Sequence, residues 1–409
     1  MGCLAKSSWW TRRFGLYALG NSINNVGNAF YLIVLPLVVY QTTRSSFAMA
    51  GTVGVEALST LLLPLWGLLA DRMRPRALMV RALVFQAAVS MVLPLGLHSA
   101  WLTLPALYAV SFLVGVGANA LQTVQTRVVP LMFPDSARHA SAGLTSAYTL
   151  TTIVGPVLAA AALAHDASGL LLWANSASFL GPILLIPWTH IPNGPLPVRA
   201  GRVPFPRALA EGFTVLKAHR TLRPLLGVLV AVDMSYAVAT VLTVYRAKSA
   251  FHWPDAAVSA LFLASGLGAL LGTRLPLWVR ARGSGWLPAL LALNLVGLAG
   301  LVTPWAPALP LGLGCVAAAY LALAVERNLR LQQDFPVSVL GRVNTSVRTL
   351  TGLGALVATV GVGAVSAYWG VIVAVGVLFL IGALPLAALG PIQALRDRRD
   401  SHRGRARRQ

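Results

Sequence analysis

Three carboxylates stand where a carboxylate is costly. Glu56, Asp233 and Glu326 each fall inside a long apolar stretch, and an ionisable group at mid-membrane depth costs about 3 kcal/mol on insertion scales. A carboxyl kept there can take up and release a proton as its surroundings change. The plainer use is an interhelical hydrogen bond or ion pair. Glu326 leans to that second use, because Arg330 follows four residues later, the favourable order for a helical pair. Polar residues also recur at helical spacing. Asn21, Asn24, Asn25 and Asn28 share one helix face, as do Asn119, Gln122 and Thr126, then Ser141, Thr145, Tyr148 and Thr152, and finally Asp233, Tyr236 and Thr240. Such faces are expensive against lipid and must turn inward. The first and last of these sets, with Asn119 and Gln122, read as cavity lining, the Ser141 set as helix–helix contact.

The elements that carry these residues are membrane spans. Of 409 residues, 57% are hydrophobic and 11% charged, against about a quarter charged in a soluble domain. Uncharged stretches run over 14–43, 82–126, 283–325 and 349–395. About 20 apolar residues cross a bilayer, so the longest stretches each hold two spans and a turn. About twelve spans result: 14–40, 47–70, 77–97, 102–126, 140–164, 169–189, 224–245, 256–278, 286–304, 309–329, 345–366 and 370–390. The expected class is an all-α polytopic membrane protein, which excludes a soluble enzyme, a secreted disulfide scaffold and a single-pass receptor. Cys3 and Cys315 are too few and too far apart in kind of segment to build a framework. The net charge of +21 is a topology signal rather than a nucleic-acid footprint: with the N-terminus inside, only Arg44, Arg246 and Lys248 of the 32 basic residues fall outside. Both termini are therefore expected in the cytoplasm, in a cytoplasmic (inner) membrane, with the bilayer itself the partner of the basic tail.

Residues 191–223 form the one long polar interruption and carry Pro192, Pro195, Pro197, Pro204 and Pro206. The expected organisation is a six-helix bundle over 1–190, a linker over 191–223, a second bundle over 224–395 and a basic tail over 396–409. The two bundles are expected to be pseudo-symmetric. The segment beginning at Pro134 resembles the one beginning at Pro336, and LPLVVYQTTRSSF at Leu35 resembles TVLTVYRAKSAFH at Thr240. Weak internal symmetry of this kind is the mark of carriers built from repeats.

The loop after the second span reads Gly67-Leu-Leu-Ala-Asp71-Arg72-Met-Arg74-Pro-Arg76. It resembles the G-x-x-x-D-R-x-G-R gate loop of the major facilitator superfamily, with Arg74 in place of the second glycine. Gly155 and Pro156 resemble the start of that family's antiporter motif, which continues here with alanines. The segments NALQTVQTRVVPLMFPDSARHASAGLTS, LLLWANSASFL and EGFTVLKAHRTLRPLL are similar to the branch that contains macrolide-efflux proteins and the enterobactin exporter. The resemblance implies two six-helix bundles, alternating access, a cavity lined by the first and seventh spans, and a gate in which Asp71 meets Gly341 and Arg342. Arg348 is placed as a further gate partner or as a snorkelling side chain. The fourth span lacks the membrane arginine of many drug–proton antiporters; its nearest basic residue is Arg127.

The sequence holds no phosphate-binding loop and no metal-ligand spacing among its seven histidines. The expectation is therefore a carrier rather than an enzyme, with no cofactor, metal, nucleotide or nucleic acid, working as a monomer on a small-molecule substrate. It is expected to be a proton-coupled exporter of a small amphipathic compound such as a drug, natural product or siderophore, driven by the proton gradient. An importer or uniporter of the same fold, and a non-transporting membrane sensor or assembly partner, are the alternatives.

Overall fold

A computed structural model of the protein describes residues 11–99, 101–133, 136–191, 214, 222–280, 286–335 and 337–384. The linker residues 192–221 other than Thr214, the tail 396–409 and the side chains of Asp71, Arg72, Arg127 and Arg342 lie outside the described residues. The described chain is helical: α1 (Arg12–Thr43), α2 (Ser46–Leu58, then a 3-10 turn Ser59–Leu62, then Leu63–Arg72), α3 (Pro75–His98), α4 (Leu104–Met132), α5 (Ala137–Leu163) and α6 (Ser168–Ser178 and Leu180–Thr189). The second half continues with α7 (Leu222–Ser249), α8 (Asp255–Arg280), α9 (Trp286–Val302), α10 (Ala308–Asp334), α11 (Val337–Trp369) and α12 (Val371–Leu384). All but the shorter apolar helices α9 and α12 are long and apolar enough to cross a bilayer.

Helices are the form this composition must take, since a bilayer offers no water to the backbone. The hydroxyls in the spans follow the same rule. Thr52, Ser90, Ser111, Thr149, Ser176, Ser235 and Thr243 each donate to a carbonyl three or four residues earlier. Two spans are broken rather than continuous. In α2 the break precedes Pro64, whose ring cannot coexist with a helical carbonyl at Thr60; in α6 it is a single residue, Phe179, three before Pro182. The span expected over 47–70 is thus two helices joined at Ser59. Leu150 at 61%, Leu271 at 67% and Leu380 at 68% exposure show that the outer surface is apolar, as a lipid-facing belt requires. The protein is a multi-pass membrane protein.

One property of the core positions everything else. At one end of the molecule a single buried cluster draws on all twelve helices, from Tyr31 and Val38 of α1 through Leu242 of α7 to Leu378 of α12. At the end where α1 begins there are two separate clusters. One holds Phe14, Met79, Val128 and Ile186 of the first half; the other holds Leu225, Leu291, Leu323 and Val347 of the second. Among the described residues the halves share one core at the first end, here the sealed end, and keep separate cores at the other, the parted end.

The seal is built where α2 packs on α11 and α5 on α8. Ser366 donates to Ser46 across it at 2.7 Å, both buried. Gln41 donates to Asp255 Oδ2 at 3.0 Å while Lys248 holds Oδ1 at 2.6 Å, and Tyr40 meets Tyr245 edge-on at 5.9 Å. Arg246 and Lys248, expected in a loop, belong to the last turn of α7. Arg246 is held by the carbonyls of Leu301 and Thr303. Residues 266–272, GLGALLG, lie at helix crossings: a Cβ on Gly266 would stand 2.3 Å from the Thr152 carbonyl oxygen of α5, and one on Gly268 would stand 2.0 Å from that of Gly314.

Candidate functional site

The break in α2 frees Ser59 to face α4, and a chain of polar contacts begins there. Asn119 Nδ2 donates to Ser59 Oγ at 2.8 Å, and Asn119 Oδ1 accepts from Arg348 Nη2 at 3.2 Å. Gln122 Oε1 accepts from the same Nη2 at 2.5 Å. Arg348 therefore does not snorkel: it reaches from α11 to α4, across the two halves, as a partner in a gate between them could. The fourth span has no central arginine of its own, and α11 supplies one. Asn119, read as cavity lining, is buried and spent on both sides, a joint between α2, α4 and α11. Gln122, also read as lining, is exposed and holds the same arginine across the halves.

Asp233 of α7 lies beside Thr351 of α11, with the guanidinium groups of Arg327 and Arg348 within electrostatic reach. No ion pair shorter than 4.0 Å engages it among the described residues. Tyr236, one turn on from Asp233, stacks on Tyr320 of α10 with ring centroids 4.5 Å apart and planes within 8°; its hydroxyl is 3.4 Å from Ser265 Oγ. Tyr148 of α5, half exposed, approaches this pair from the other half. Sequence reasoning placed Asp233 and Tyr236 together, and the structure brings them together. It missed Arg327 and Tyr320, which lie on α10 and reach the cluster only through packing. Thr240 turns its hydroxyl to the Ala237 carbonyl within α7.

The other two acids part company. Glu326 is fully buried and bridges to Arg330 Nε at 2.6 Å on its own helix, while Arg330 lies 5.6 Å over the Trp286 ring. Its place is in the helix packing of the second half. Glu56 of α2 is partly buried, its side chain laid against Gly115 of α4. No hydrogen bond or ion pair engages its carboxyl among the described residues. The Tyr31 hydroxyl, buried beside Ser111, lies within its electrostatic reach. Tyr31 sits three residues past the asparagine stripe and reads in sequence as one more core aromatic.

The asparagine stripe divides. Asn21 bonds to the Tyr17 carbonyl at 2.8 Å and accepts from Gln125 at 2.5 Å, tying α1 to α4. Asn24 is buried in the packed face, while Asn25 and Asn28 keep partial exposure. The α5 stripe departs from its expected role as helix contact: Ser141, Thr145 and Tyr148 are exposed at the parted end, and Leu150, Val157 and Leu158 are exposed on the other side of the helix. An α5 lined by the cavity on one face and by lipid on the other accounts for both. At the gate loop, α2 ends on Arg72, Met73 and Arg74 make the turn, and Pro75 opens α3 at the position where its missing N–H costs nothing. Gly67 and Arg76 are helical, and Arg74 is exposed. Gly155 earns its place by closeness: a Cβ there would stand 2.4 Å from Ala29 Cβ of α1, and Pro156 follows inside α5. No three metal-ligating side chains gather among the described residues.

The family model for the Major Facilitator Superfamily matches residues 17–328. The chain belongs to the major facilitator superfamily. This facilitator shares its fold with the nucleoside transporter NupG, at a TM-score of 0.71 and 11% identity, over 93% of this chain and 100% of that one. It is similar to a bacterial homologue of the iron transporter ferroportin in an inward-facing state (TM-score 0.65, 18% identity, 92% and 98% covered). It is also similar to a bacterial homologue of the human lysosomal transporter Spinster, inward-facing and unoccupied (TM-score 0.61, 12% identity, 92% and 97% covered). Among curated proteins no sequence relative matches. The family makes this facilitator a transporter and not an enzyme. The neighbours differ in cargo, so the shared fold does not select a substrate or a direction.

Proposed function

We propose that this facilitator is a proton-coupled exporter of a small amphipathic organic molecule, seated in the cytoplasmic membrane with both termini inside. The observation that carries the reading is the asymmetric core: one cluster shared by all helices at one end, two clusters at the other, with Glu56, Asp233 and Arg348 between them. The basic residues Arg12, Arg13, Arg74, Arg76 and Arg330 gather toward the parted end, while Arg44, Arg246 and Lys248 lie at the sealed end. That asymmetry supports a parted end facing the cytoplasm, so this is the state that loads cargo from inside. The two bundles, 1–190 and 224–395, then rock about the central contacts to seal one end and open the other.

Glu56 is the carboxyl offered for the proton. No cation among the described residues neutralises it, so burial in apolar surroundings demands a proton. Asp233 stands near two arginines and is better suited to holding them in place. A proton on Glu56 must favour one access state over the other to drive the cycle. The α2–α11 contact beside it supplies the means: Gly54, two residues before Glu56, packs on Thr359 and Leu356. Export rather than import rests on the resemblance to the macrolide-efflux and enterobactin-exporter branch.

The test is accumulation of lipophilic dyes and antibiotics in efflux-deficient bacteria expressing the chain. Lower accumulation is expected, abolished by a protonophore and by Glu56→Gln, while membrane levels of the protein stay unchanged. Raised accumulation, or export that the protonophore leaves intact, would overturn the reading.

A further inference from the structure

The central cluster carries more positive than negative charge. Arg327 of α10 and Arg348 of α11 lie within electrostatic reach of each other, and among the described residues Asp233 is the acid within reach of both. Arg348 is oriented by two neutral amide oxygens, those of Asn119 and Gln122, which fix its plane without cancelling its charge. Both bonds use Nη2, so Nε and Nη1 have no partner among the described residues. Arg327 gives only Nε, to Asn328 at 3.3 Å, and both of its Nη groups are uncommitted there. Among the described residues, two forked donors with free N–H groups, one charge in excess and no bridging acid within 4.0 Å make a site suited to an anion.

Beside these donors lies a flat apolar face. The Tyr236 and Tyr320 rings are parallel and in contact, both partly buried, and Tyr148 of the opposite half stands half exposed next to them. Stacked rings of this kind accept a further planar ring at little cost in conformational freedom. Tyr148 belongs to the half that must move when access alternates. A ring seated on the pair would therefore be met by it from the other bundle.

We propose that the cargo is an organic monoanion bearing a planar ring, its carboxylate or equivalent anionic group held by Arg327 and Arg348 and its ring laid on Tyr236 and Tyr320. This deepens the transport reading above and rests on it for the word cargo, but not for the binding. Asp233 sets the charge balance: with it ionised, one negative charge on the ligand neutralises the cluster, and a cationic ligand would add to an existing excess.

The experiment is binding to the purified full chain in lipid nanodiscs, with 2-naphthoate as the probe and its shift of the thermal midpoint, then calorimetry, as the readouts. The comparison probes are 2-naphthamide, which is neutral, 2-naphthylmethylammonium, which is cationic, and the saturated decalin carboxylate. Naphthoate is expected to bind at least roughly tenfold tighter than the amide or the ammonium, the size of one lost charge-assisted contact. Arg348→Gln and Arg327→Gln should each weaken naphthoate about tenfold or more, and Arg348→Lys should recover part of the loss because it keeps charge but not the fork. Tyr320→Leu should erase the preference for naphthoate over the decalin acid while leaving acid over amide intact. The unliganded midpoint of each variant separates misfolding from lost binding, and Arg327→Gln, at a partly exposed site, serves if Arg348→Gln does not fold. Failure of wild-type protein to bind naphthoate, or tighter binding of the ammonium, overturns the proposal. Because no gradient is present, binding can fail while proton-driven efflux stands, and the reverse.

Discussion

At the scale of single residues, two neighbours on α10 do different work. Glu326 and Arg327 are adjacent in sequence, yet Glu326 is sealed against Arg330 within the second bundle and Arg327 reaches the central cluster. The first of these was legible from the i,i+4 spacing alone. Arg327 was not, because adjacent residues on a helix face about 100° apart and only the packing of α10 on α7 and α11 decides which side is the middle. The same holds for Arg348, whose sequence position near the start of a span suggests a gate or a snorkel, and whose contact with Asn119 depends on a neighbour 229 residues away. The role of Glu326 can be checked directly. Glu326→Gln removes the charge that Arg330 pairs with, in a side chain that is itself fully buried, and should lower stability by about 1–3 kcal/mol. Arg330 is 29% exposed and partly screened, which holds the loss below that of a fully enclosed pair. Thermal unfolding in nanodiscs should fall, while the protonophore sensitivity of any efflux persists. Loss of proton coupling with unchanged stability would make Glu326 the proton carrier instead.

At the scale of elements, hydropathy located the spans and missed their breaks. An uncharged, apolar run reads the same whether its helix is continuous or interrupted, so 47–70 gave a single span although Pro64 lies within it. That interruption matters, since it presents Ser59 to Asn119 and so aims Asn119 at Arg348. The glycines of 266–272 were legible as packing residues, because inside a span they have no phosphate to cradle; their partners were not, since sequence cannot say that Gly266 meets α5 of the other half. Gly266→Val is the corresponding test. The added carbons would meet the Thr152 carbonyl oxygen, which is backbone and cannot turn aside, so α5 and α8 must separate. Overpacking of this kind costs about 1–3 kcal/mol. The variant should show a lower thermal midpoint and faster labelling of a cysteine placed at Tyr245 in the seal by a membrane-impermeant thiol reagent. An unchanged labelling rate would mean that the α5–α8 crossing does not hold the seal.

At the scale of the whole molecule, function resides in the difference between the two ends. Composition and charge placement gave about twelve spans and an expected side for each loop, but the access state was beyond them, because sealing depends on which apolar faces are shared between halves. The shared cluster answers this: Val38, Met49, Leu242 and Val362 are buried together at one end, and among the described residues no cluster at the other end contains residues of both halves. If transport needs the sealed end to open, fastening it should stop transport without disturbing the fold. Ser46 and Ser366 offer the fastening point, their hydroxyls 2.7 Å apart on α2 and α11. Cysteines at both positions, in a chain whose Cys3 and Cys315 are replaced by serine, place two thiols where a bond needs little backbone movement. Oxidation should abolish efflux, reduction should restore it, and naphthoate should still bind the oxidised protein because the parted end remains open to it. The single variants Ser46→Cys and Ser366→Cys should respond to neither reagent. Efflux that continues after complete cross-linking, verified by the altered migration of a protein cleaved in its linker, would mean that these two helices stay together throughout the cycle and that the seal opens elsewhere, along α5 and α8.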